Sequence, residues 1–423
     1  IAYTQTNIII PDAHGDWLNQ RDNSFCKFIS IFSKTKKNIF RLSSNGIQTN
    51  RDAWVVNSGK EKLQLNMCLT IDAYNHNTDK LIDDATQIKW TRSLRKRVES
   101  KQLSDEFDYL NIRKFSYRPF TDQYLYFDKF WNEYQFNNRL LFPKQSSKNL
   151  IICLSKASSN EFSCIVSNKI SDQHLIGDTI CFPRWLPGEQ PKVTEALLDF
   201  CKPSEMPSGL SPGALSHFQA AYPGKSLTED DLFYYIYGIL HSEDYRTRYA
   251  NNLMKELPRI PRVATYEQFM AFAEAGRKLA DLHVNFENVE PYTGVKIEYT
   301  KEGAPSYRVT QMKWAKIKGK TGNAAKDKST LIYNDWITVK NIPLEAQEYI
   351  VNKKSALDWV VERACVSIDK ASGIVNDFND YAAEQSNERY PLELFLKVIT
   401  VSLDTIKIVK NLPSLEIHHL DRD

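Results

Sequence analysis

The apolar and polar positions of this chain follow two different periods, and the changes between them mark its elements. Short apolar runs at residues 25–32, 124–127, 150–154, 162–166 and 179–182 are bounded by polar or turn-forming residues and predict strands. An earlier run at 7–11 reads the same way, with the polar stretch 12–23 as the loop that follows it. The Asn45-Gly46 pair predicts a turn leading into a short strand that ends near Val56. From about Lys60 to Lys101 the spacing becomes helical, with Leu63, Leu65, Met67, Ile71 and Tyr74 in one piece and Leu81, Ile82, Ala85 and Ile88 in a second.

The second half shows its helix ends. Thr228 is placed to cap a helix carrying Leu232, Tyr235, Ile236 and Ile239, and Ser242 opens another that must end near Pro258. Thr265 with Gln268 forms a capping box for a third, carrying Phe269, Met270, Ala273 and Ala280. Strands are expected at 295–299, 307–312 and 331–339, and closing helices near 344–351, 356–365 and 392–409. Residues 183–213, rich in Pro, Ser and Gly, form the best internal boundary. The pattern contains no internal repeat. It predicts an α+β chain of mixed helices and short, mostly antiparallel strands in two or more subdomains.

Composition changes this picture only in places. With 423 residues there is material for two or three cores, and the 15 glycines argue against phosphate-cradling loops. A net charge of +3 does not establish nucleic-acid binding, so any basic surface must come from local clustering. The seven cysteines are dispersed without a C-x-x-C pair and read as reduced thiols of a cytoplasmic protein. The longest apolar stretch, 232–240, is far too short to span a membrane. The chain opens on Ile1 rather than Met and reads as a piece of a longer polypeptide.

Catalytic signatures fail one by one. Gly319-Lys320-Thr321 resembles the end of a phosphate loop, but Trp314 stands where the required earlier glycine belongs. The chain shows neither an adenine-methyltransferase tetrapeptide, nor a Gly-rich cofactor loop, nor a helicase motif set. His14, His241, His283, His418 and His419 lack spaced Cys or carboxylate partners, so neither a metal site nor a nucleophile is expected.

Three segments carry basic clusters. In Lys89-Trp90-Thr91-Arg92-Ser93-Leu94-Arg95-Lys96-Arg97, helical geometry puts Arg92, Arg95 and Lys96 on one face, with Lys89 a turn earlier. Such a stripe neutralises phosphates with counterion release, and it equally describes a solvated helix face. Arg113, Lys114, Tyr117 and Arg118 interleave cations with aromatics, which suits phosphate contact plus stacking, or a strand with one aromatic and one charged face. Lys316, Lys318 and Lys320 alternate at strand period, either to straddle a DNA backbone or to protect an edge strand. The ring-rich stretch Phe233, Tyr234, Tyr235 and Tyr237 reads as core.

Several blocks, in order, resemble the C-terminal specificity region of type ISP restriction–modification enzymes. They are Gly46-Ile47-Gln48-Thr49-Asn50-Arg51-Asp52-Ala53-Trp54; Tyr117-Arg118-Pro119-Phe120 with Tyr126-Phe127-Asp128; the run from Phe233 through Tyr249 to Lys255-Glu256-Leu257-Pro258-Arg259-Ile260-Pro261; Ala275-Gly276-Arg277-Lys278-Leu279-Ala280-Asp281-Leu282-His283; Asp327-Lys328-Ser329-Thr330-Leu331-Ile332-Tyr333-Asn334; and Val351-Asn352-Lys353-Lys354-Ser355-Ala356-Leu357-Asp358-Trp359-Val360 with its continuation to Asp377. Each block alone is weak, but their shared order is specific. Members of that family carry a nuclease, an ATP-driven translocase, a coupling region, an N6-adenine methyltransferase and a target recognition domain in one polypeptide.

The resemblance implies that residues 1–40 are the tail of the methyltransferase domain. Residues 41–200, helical then β-rich, and 201–423, helices plus β-hairpins, then form the specificity region. The implied partners are double-stranded DNA and the upstream methyltransferase, helicase and nuclease domains, with no membrane. S-adenosylmethionine, ATP and Mg belong to the parent enzyme, and no cofactor is expected in this chain. Arg92, Arg95, Lys96, Arg113 and Lys316 would hold phosphates, and Lys89, Lys114, Tyr117, Arg118, Lys318 and Lys320 complete the candidate contact set. Thr49, Asn50 and Arg51 would lie near the seam with the methyltransferase, to which a target adenine would be offered. The departures from the family pattern fall in 132–148 and 186–215, where base-contacting loops would differ. Two alternatives stay open: a scaffolding module between domains, and a fragment that completes the methyltransferase pocket.

Overall fold

The computed structural model describes residues 10–421, apart from 13, 35–36, 77–87, 158–160, 188–205, 318 and 322–324. The apolar run at 150–154 becomes strand Ile151–Ser155, inside an antiparallel sheet ordered Ser44–Asn45, Thr179–Pro183, Ile151–Ser155, Cys164–Ser167. Successive side chains of a strand point to opposite faces. Accordingly Ile151, Cys153, Ile165 and Cys181 enter one hydrophobic core, while Ile152, Leu154, Cys164, Val166, Ile180 and Phe182 enter another. A strand buried on both faces needs an unbroken apolar run rather than an alternating one, and this sequence supplies it.

The first core joins a second sheet to the C-terminal helices. That sheet is ordered Val56–Asn57, Thr121–Tyr126, Ile112–Arg118, Ile170–Ser171, with only the last pair parallel. Helices Lys60–His76 and Arg92–Glu99 pack on the same core through Leu63, Met67, Ile71, Leu94 and Val98. A third, antiparallel sheet, ordered Lys296–Tyr299, Ile337–Lys340, Lys326–Ile332, Lys313–Lys316, contributes Trp314, Leu331, Ile337 and Val339. The expected α+β class, with its mostly antiparallel pairing, is what the chain forms.

The second core is built on helices Glu229–His241 and Tyr266–Val284. Both open with capping boxes, Thr228 with Asp231 and Thr265 with Gln268. Their axes meet where only glycine fits. A Cβ on Gly276 would stand 1.9 Å from the Tyr234 carbonyl oxygen, and one on Gly238 would stand 2.2 Å from that of Phe272. The helix Tyr390–Lys410 belongs to the first core along most of its length and lays Ile408 and Val409 against the second.

Several expected elements differ. The 25–32 run forms a 3₁₀ turn, Asn23–Lys27, and a strand of only two residues, Ile29–Ser30. The segment expected as a strand ending near Val56 contains the helix Asp52–Val55, with Val56 opening the strand instead. The stretch 331–339 is the end of one strand and the start of its antiparallel partner. Residues 307–312 join no ladder, because side chains and neighbouring loops take their backbone groups. Asn379 binds both the N–H and the carbonyl of Val309, and Val366 N–H donates to Thr310. The strand begins only at Lys313. The helix expected at 344–351 is one 3₁₀ turn, Leu344–Gln347, followed by a tight hairpin that pairs Ile350–Val351 with Lys354–Ser355. Asn352 and Lys353 both take left-handed backbone angles (φ 48° and 67°), as a two-residue hairpin loop demands. The helical piece expected around Leu81, Ile82 and Ala85 lies outside the described residues, as do most of the 7–11 run and the middle of the 183–213 boundary.

Candidate nucleic-acid interface

The segment Ile47–Arg51 runs between two neighbours that fix both its edges. Ile47 N–H donates to Ser171 at 2.8 Å and its carbonyl accepts from Gln173 at 2.8 Å. Gln48 exchanges backbone hydrogen bonds with Tyr134 at 3.0 and 2.9 Å. Extended backbone alternates the side chains, so Ile47 and Thr49 are buried, Gln48 is half-buried and Asn50 is exposed. The Gln48 amide N–H donates to the Asn50 side-chain oxygen at 3.0 Å. Asn50, with φ 57°, turns the chain into the short helix Asp52–Val55.

Arg51 is only 1% exposed. Its guanidinium donates to the Trp131 carbonyl, to Thr91 Oγ1 at 2.6 Å and to Glu133 Oε2 at 3.5 Å. Burial pulls its pKa down to about 10, opposed by the Glu133 carboxylate. Thr91 caps the helix Arg92–Glu99 by accepting from Leu94 N–H, and the Thr91 and Ser93 hydroxyls donate to Glu133 at 3.0 and 2.6 Å. Arg51 thus fixes where the basic helix starts. On that helix Arg92 and Lys96 are exposed and Arg95 is half-buried. Arg97 turns underneath, donating to the carbonyls of Phe130 and Lys129 and lying 4.4 Å over the Phe130 ring.

Lys89, three residues before this helix, lines a cleft of about 270 Å³ together with Gln48, Thr49, Asn50, Asp52, Asp172, Gln173, His174 and Asp369. Its floor is organised by carboxylates. Asp52 accepts from the Thr49 hydroxyl and, at 3.4 Å, from the Tyr117 hydroxyl, whose pKa burial pushes up to about 12. Asp172 pairs with Arg118 at 2.8 Å, and the Arg118 guanidinium lies 3.9 Å over the Tyr117 ring. Burial nevertheless holds the Asp172 carboxyl above the usual range, against the pull of Arg118.

The cleft therefore gathers Thr49, Asn50 and Lys89. Tyr117 and Arg118 hold its carboxylates Asp52 and Asp172 from behind. Arg51, through Thr91, ties the site to the helix that carries Arg92, Arg95 and Lys96. The remaining candidates lie elsewhere. Arg113 is half-buried 5.9 Å over Phe127, and burial lowers its pKa. Lys114 pairs with Glu287 at 2.9 Å in a network shared with Tyr381 and Tyr390. Lys316 and Lys320 are exposed on and just beyond the edge strand Lys313–Lys316, while Lys318 lies outside the described residues. Among the described residues there is no group of three or more His, Cys, Asp or Glu side chains able to hold a metal ion, and no helix long and apolar enough to cross a membrane.

Residue spacing did not point to Tyr134, Phe136, Gln173 or His174. Tyr134 and Phe136 are 53% and 44% exposed, with stacked rings 5.6 Å apart at 22°. Phe136 holds φ 47°, a conformation that costs a bulky residue about 1–3 kcal/mol. The available signal for Tyr134 and Phe136 was their place in the stretch 132–148, where departures from the family pattern were expected. A wider groove of about 850 Å³ runs between helices Tyr266–Val284 and Tyr390–Lys410. Its exposed Lys278 and Lys407 stand among Glu274, Asp281 and Asp404, so it lacks the excess of cations that phosphates select.

The fold, as a whole, recurs in known proteins. A family profile described as the type ISP C-terminal specificity domain matches residues 38–394. The chain is similar to the type ISP enzyme LlaBIII bound to DNA, with TM-score 0.84 and 34% identity over 97% of this chain and 26% of that one. It is also similar to a nuclease-deletion mutant of the type ISP enzyme LlaGI in complex with a DNA substrate mimic (TM-score 0.80, 35% identity, 97% of this chain and 30% of that one). A DrdV–DNA complex matches with TM-score 0.79 and 28% identity over 97% of this chain and 41% of that one. No curated protein matches. The chain spans less than half the length of each of these three matched chains. With the family profile covering most of its length and the same fold recurring in these structures, the chain belongs to the type ISP C-terminal specificity domain family.

Proposed function

We propose that this chain reads the sequence of duplex DNA on behalf of a restriction–modification enzyme. The observation that carries the proposal is the overlay of 97% of the chain on LlaBIII, an enzyme whose structure is bound to DNA. The cleft supports it chemically. Phosphate contacts set position and come from exposed cations, here Arg92, Lys96 and Lys89 with Arg95 beside them. Base edges are read by amides and carboxylates, and Gln48, Asn50 and Gln173 present such groups at the same cleft. Arg51 and Arg118 are buried and act as positioning residues that hold the helix and the cleft floor.

In the parent polypeptide this reading places a target adenine, turned out of the stack, within reach of an adjacent N6-adenine methyltransferase domain. S-adenosylmethionine, ATP and Mg would be held by the upstream domains, and no step assigned to this chain passes through them.

Selection of a randomised duplex library on the purified chain at two salt concentrations tests the proposal. Enrichment of one asymmetric motif that survives the higher salt supports it, because sequence-independent phosphate binding weakens steeply with salt. Retention without enrichment leaves only backbone binding here, and no retention replaces the proposal with a scaffolding role.

A further inference from the structure

We infer that Tyr134 and Phe136 form a wedge that enters a base step of the bound duplex next to the reading cleft. This rests on the DNA-reading function proposed above. Isolated exposed rings are common on protein surfaces, but these two are stacked on each other and stand on a rigid base. Their neighbours Trp131, Asn132, Gln135 and Asn138 are 1%, 2%, 8% and 0% exposed. Asn132 donates to the Tyr126 carbonyl at 3.1 Å, Gln135 to Asn132 Oδ1 at 3.0 Å and Asn138 to the Asn45 carbonyl at 2.9 Å. The segment is thus held from below, and with Gln135 buried between them its two large rings are both exposed. The left-handed backbone at Phe136 keeps its ring beside that of Tyr134.

The surroundings identify the partner. Tyr134 is paired through its backbone to Gln48, whose side chain joins Asn50 at the cleft. Glu133, one residue before, is bound by Thr91 and Ser93, which flank the exposed Arg92. Arg139, exposed, follows three residues after Phe136. An apolar protein partner would leave these amides and cations without a use. Nucleic acid uses all three, with phosphates for the arginines, base edges for the amides and an unstacked base face for the rings.

The test uses a duplex drawn from the library selection, with 2-aminopurine replacing each adenine in turn, because its fluorescence rises when it loses stacking. The wild-type chain should raise fluorescence at one step near one end of its motif. Y134A/F136A should abolish that rise and weaken binding between about fivefold and a hundredfold, the range for loss of a base–aromatic stack. Its thermal unfolding and the salt dependence of its binding should be unchanged. Y134F should retain the rise, because the ring rather than the hydroxyl does the stacking. Tight, motif-specific binding by the wild type without any rise, or an equal rise in the double variant, overturns the wedge and leaves the reading function standing. Absence of duplex binding by the wild type overturns both.

Discussion

The helix Glu229–His241 and the segment around Tyr134 carry the same kinds of side chain and use them in opposite ways. Tyr235 and Tyr237 are fully buried. Tyr235 donates its hydroxyl to the Pro261 carbonyl at 2.7 Å and stacks on Phe269 with ring centroids 4.1 Å apart. The Tyr237 hydroxyl accepts from Val166 N–H at 3.1 Å and bonds His283 Nδ1 at 2.7 Å, while His283 Nε2 meets Thr405 Oγ1 at 2.9 Å. Tyr134 and Phe136, by contrast, stand in solvent on a hydrogen-bonded footing. The guanidiniums divide in the same way, Arg51 and Arg118 buried among partners and Arg92 in the open. Residue type alone therefore does not separate scaffold from contact surface. Burial against hydrogen-bond partners does: both terminal nitrogens of Arg51 are paired, and only its buried Nε is left without a partner, whereas an exposed donor is solvated.

The sharpest way to break this comparison is to remove a scaffold cation. Arg51→Met should destabilise the chain by about 3–5 kcal/mol, since it leaves the half-buried Glu133 without its cation and the Trp131 carbonyl without its donor. Urea unfolding measures it. A variant as stable as the parent with weakened DNA binding would move Arg51 to the contact side. Next in size is Gly276→Ala. Its methyl group would meet the Tyr234 carbonyl oxygen and, at 2.8 Å, the Gly238 nitrogen, so the helices must part at a cost of about 3 kcal/mol. DNA affinity per folded molecule should be unaffected.

A pH series tests the buried centre without mutation. Burial lowers the pKa of His283 to about 3 and that of His241 well below its ordinary value, with Arg246 adding to the latter. Both are neutral in the folded chain near neutrality, while an unfolded histidine takes up a proton near pH 6.5. Below that pH the unfolded state binds more protons, so stability is full above about pH 6.5 and falls as the pH drops toward the folded values. Each histidine contributes up to about 1.4 kcal/mol per pH unit over that window. Chemical unfolding between pH 7 and pH 5 measures the slope, and H283Q should flatten it.

The helices were legible where local chemistry decides them. Thr228, Thr265 and Gln268 announce their own caps, and the buried runs at 151–155 and 179–183 can hardly be anything but strands. Elements whose backbone is satisfied from far away were not legible. The strand expected at 307–312 loses its ladder to Asn379 and to the 366 segment, and nothing in the local pattern reveals that. The interface divides similarly. Arg92, Arg95 and Lys96 could be placed together from helix spacing. That Arg51 and Arg118 are interior could not, because their partners Glu133 and Asp172 lie 82 and 54 residues away in sequence. The wedge pair escaped for a different reason. Sequence spacing does not separate an exposed aromatic ring from a buried one until the alternation of that particular segment is known.

The smallest effect on stability belongs to the most informative variant, the double substitution Arg92→Ala with Lys96→Ala. Both side chains are exposed on a helix whose packing depends on Leu94 and Val98 and whose start depends on Thr91, so removing them should change stability by no more than about 0.5 kcal/mol. If they hold phosphates, the logarithmic salt dependence of DNA binding should become shallower by about 0.9 for each phosphate no longer neutralised, with the same motif still preferred. A filter-binding series across salt concentrations reads both quantities at once. An unchanged slope would make this helix face a solvated surface and leave Lys89 and Arg139 to carry the backbone contacts. A shallower slope together with a changed motif would mean that Arg92 reaches a base edge rather than a phosphate. Only the shallower slope with the motif kept preserves the contrast with Arg51, in which one guanidinium builds the wall and its exposed neighbour uses it.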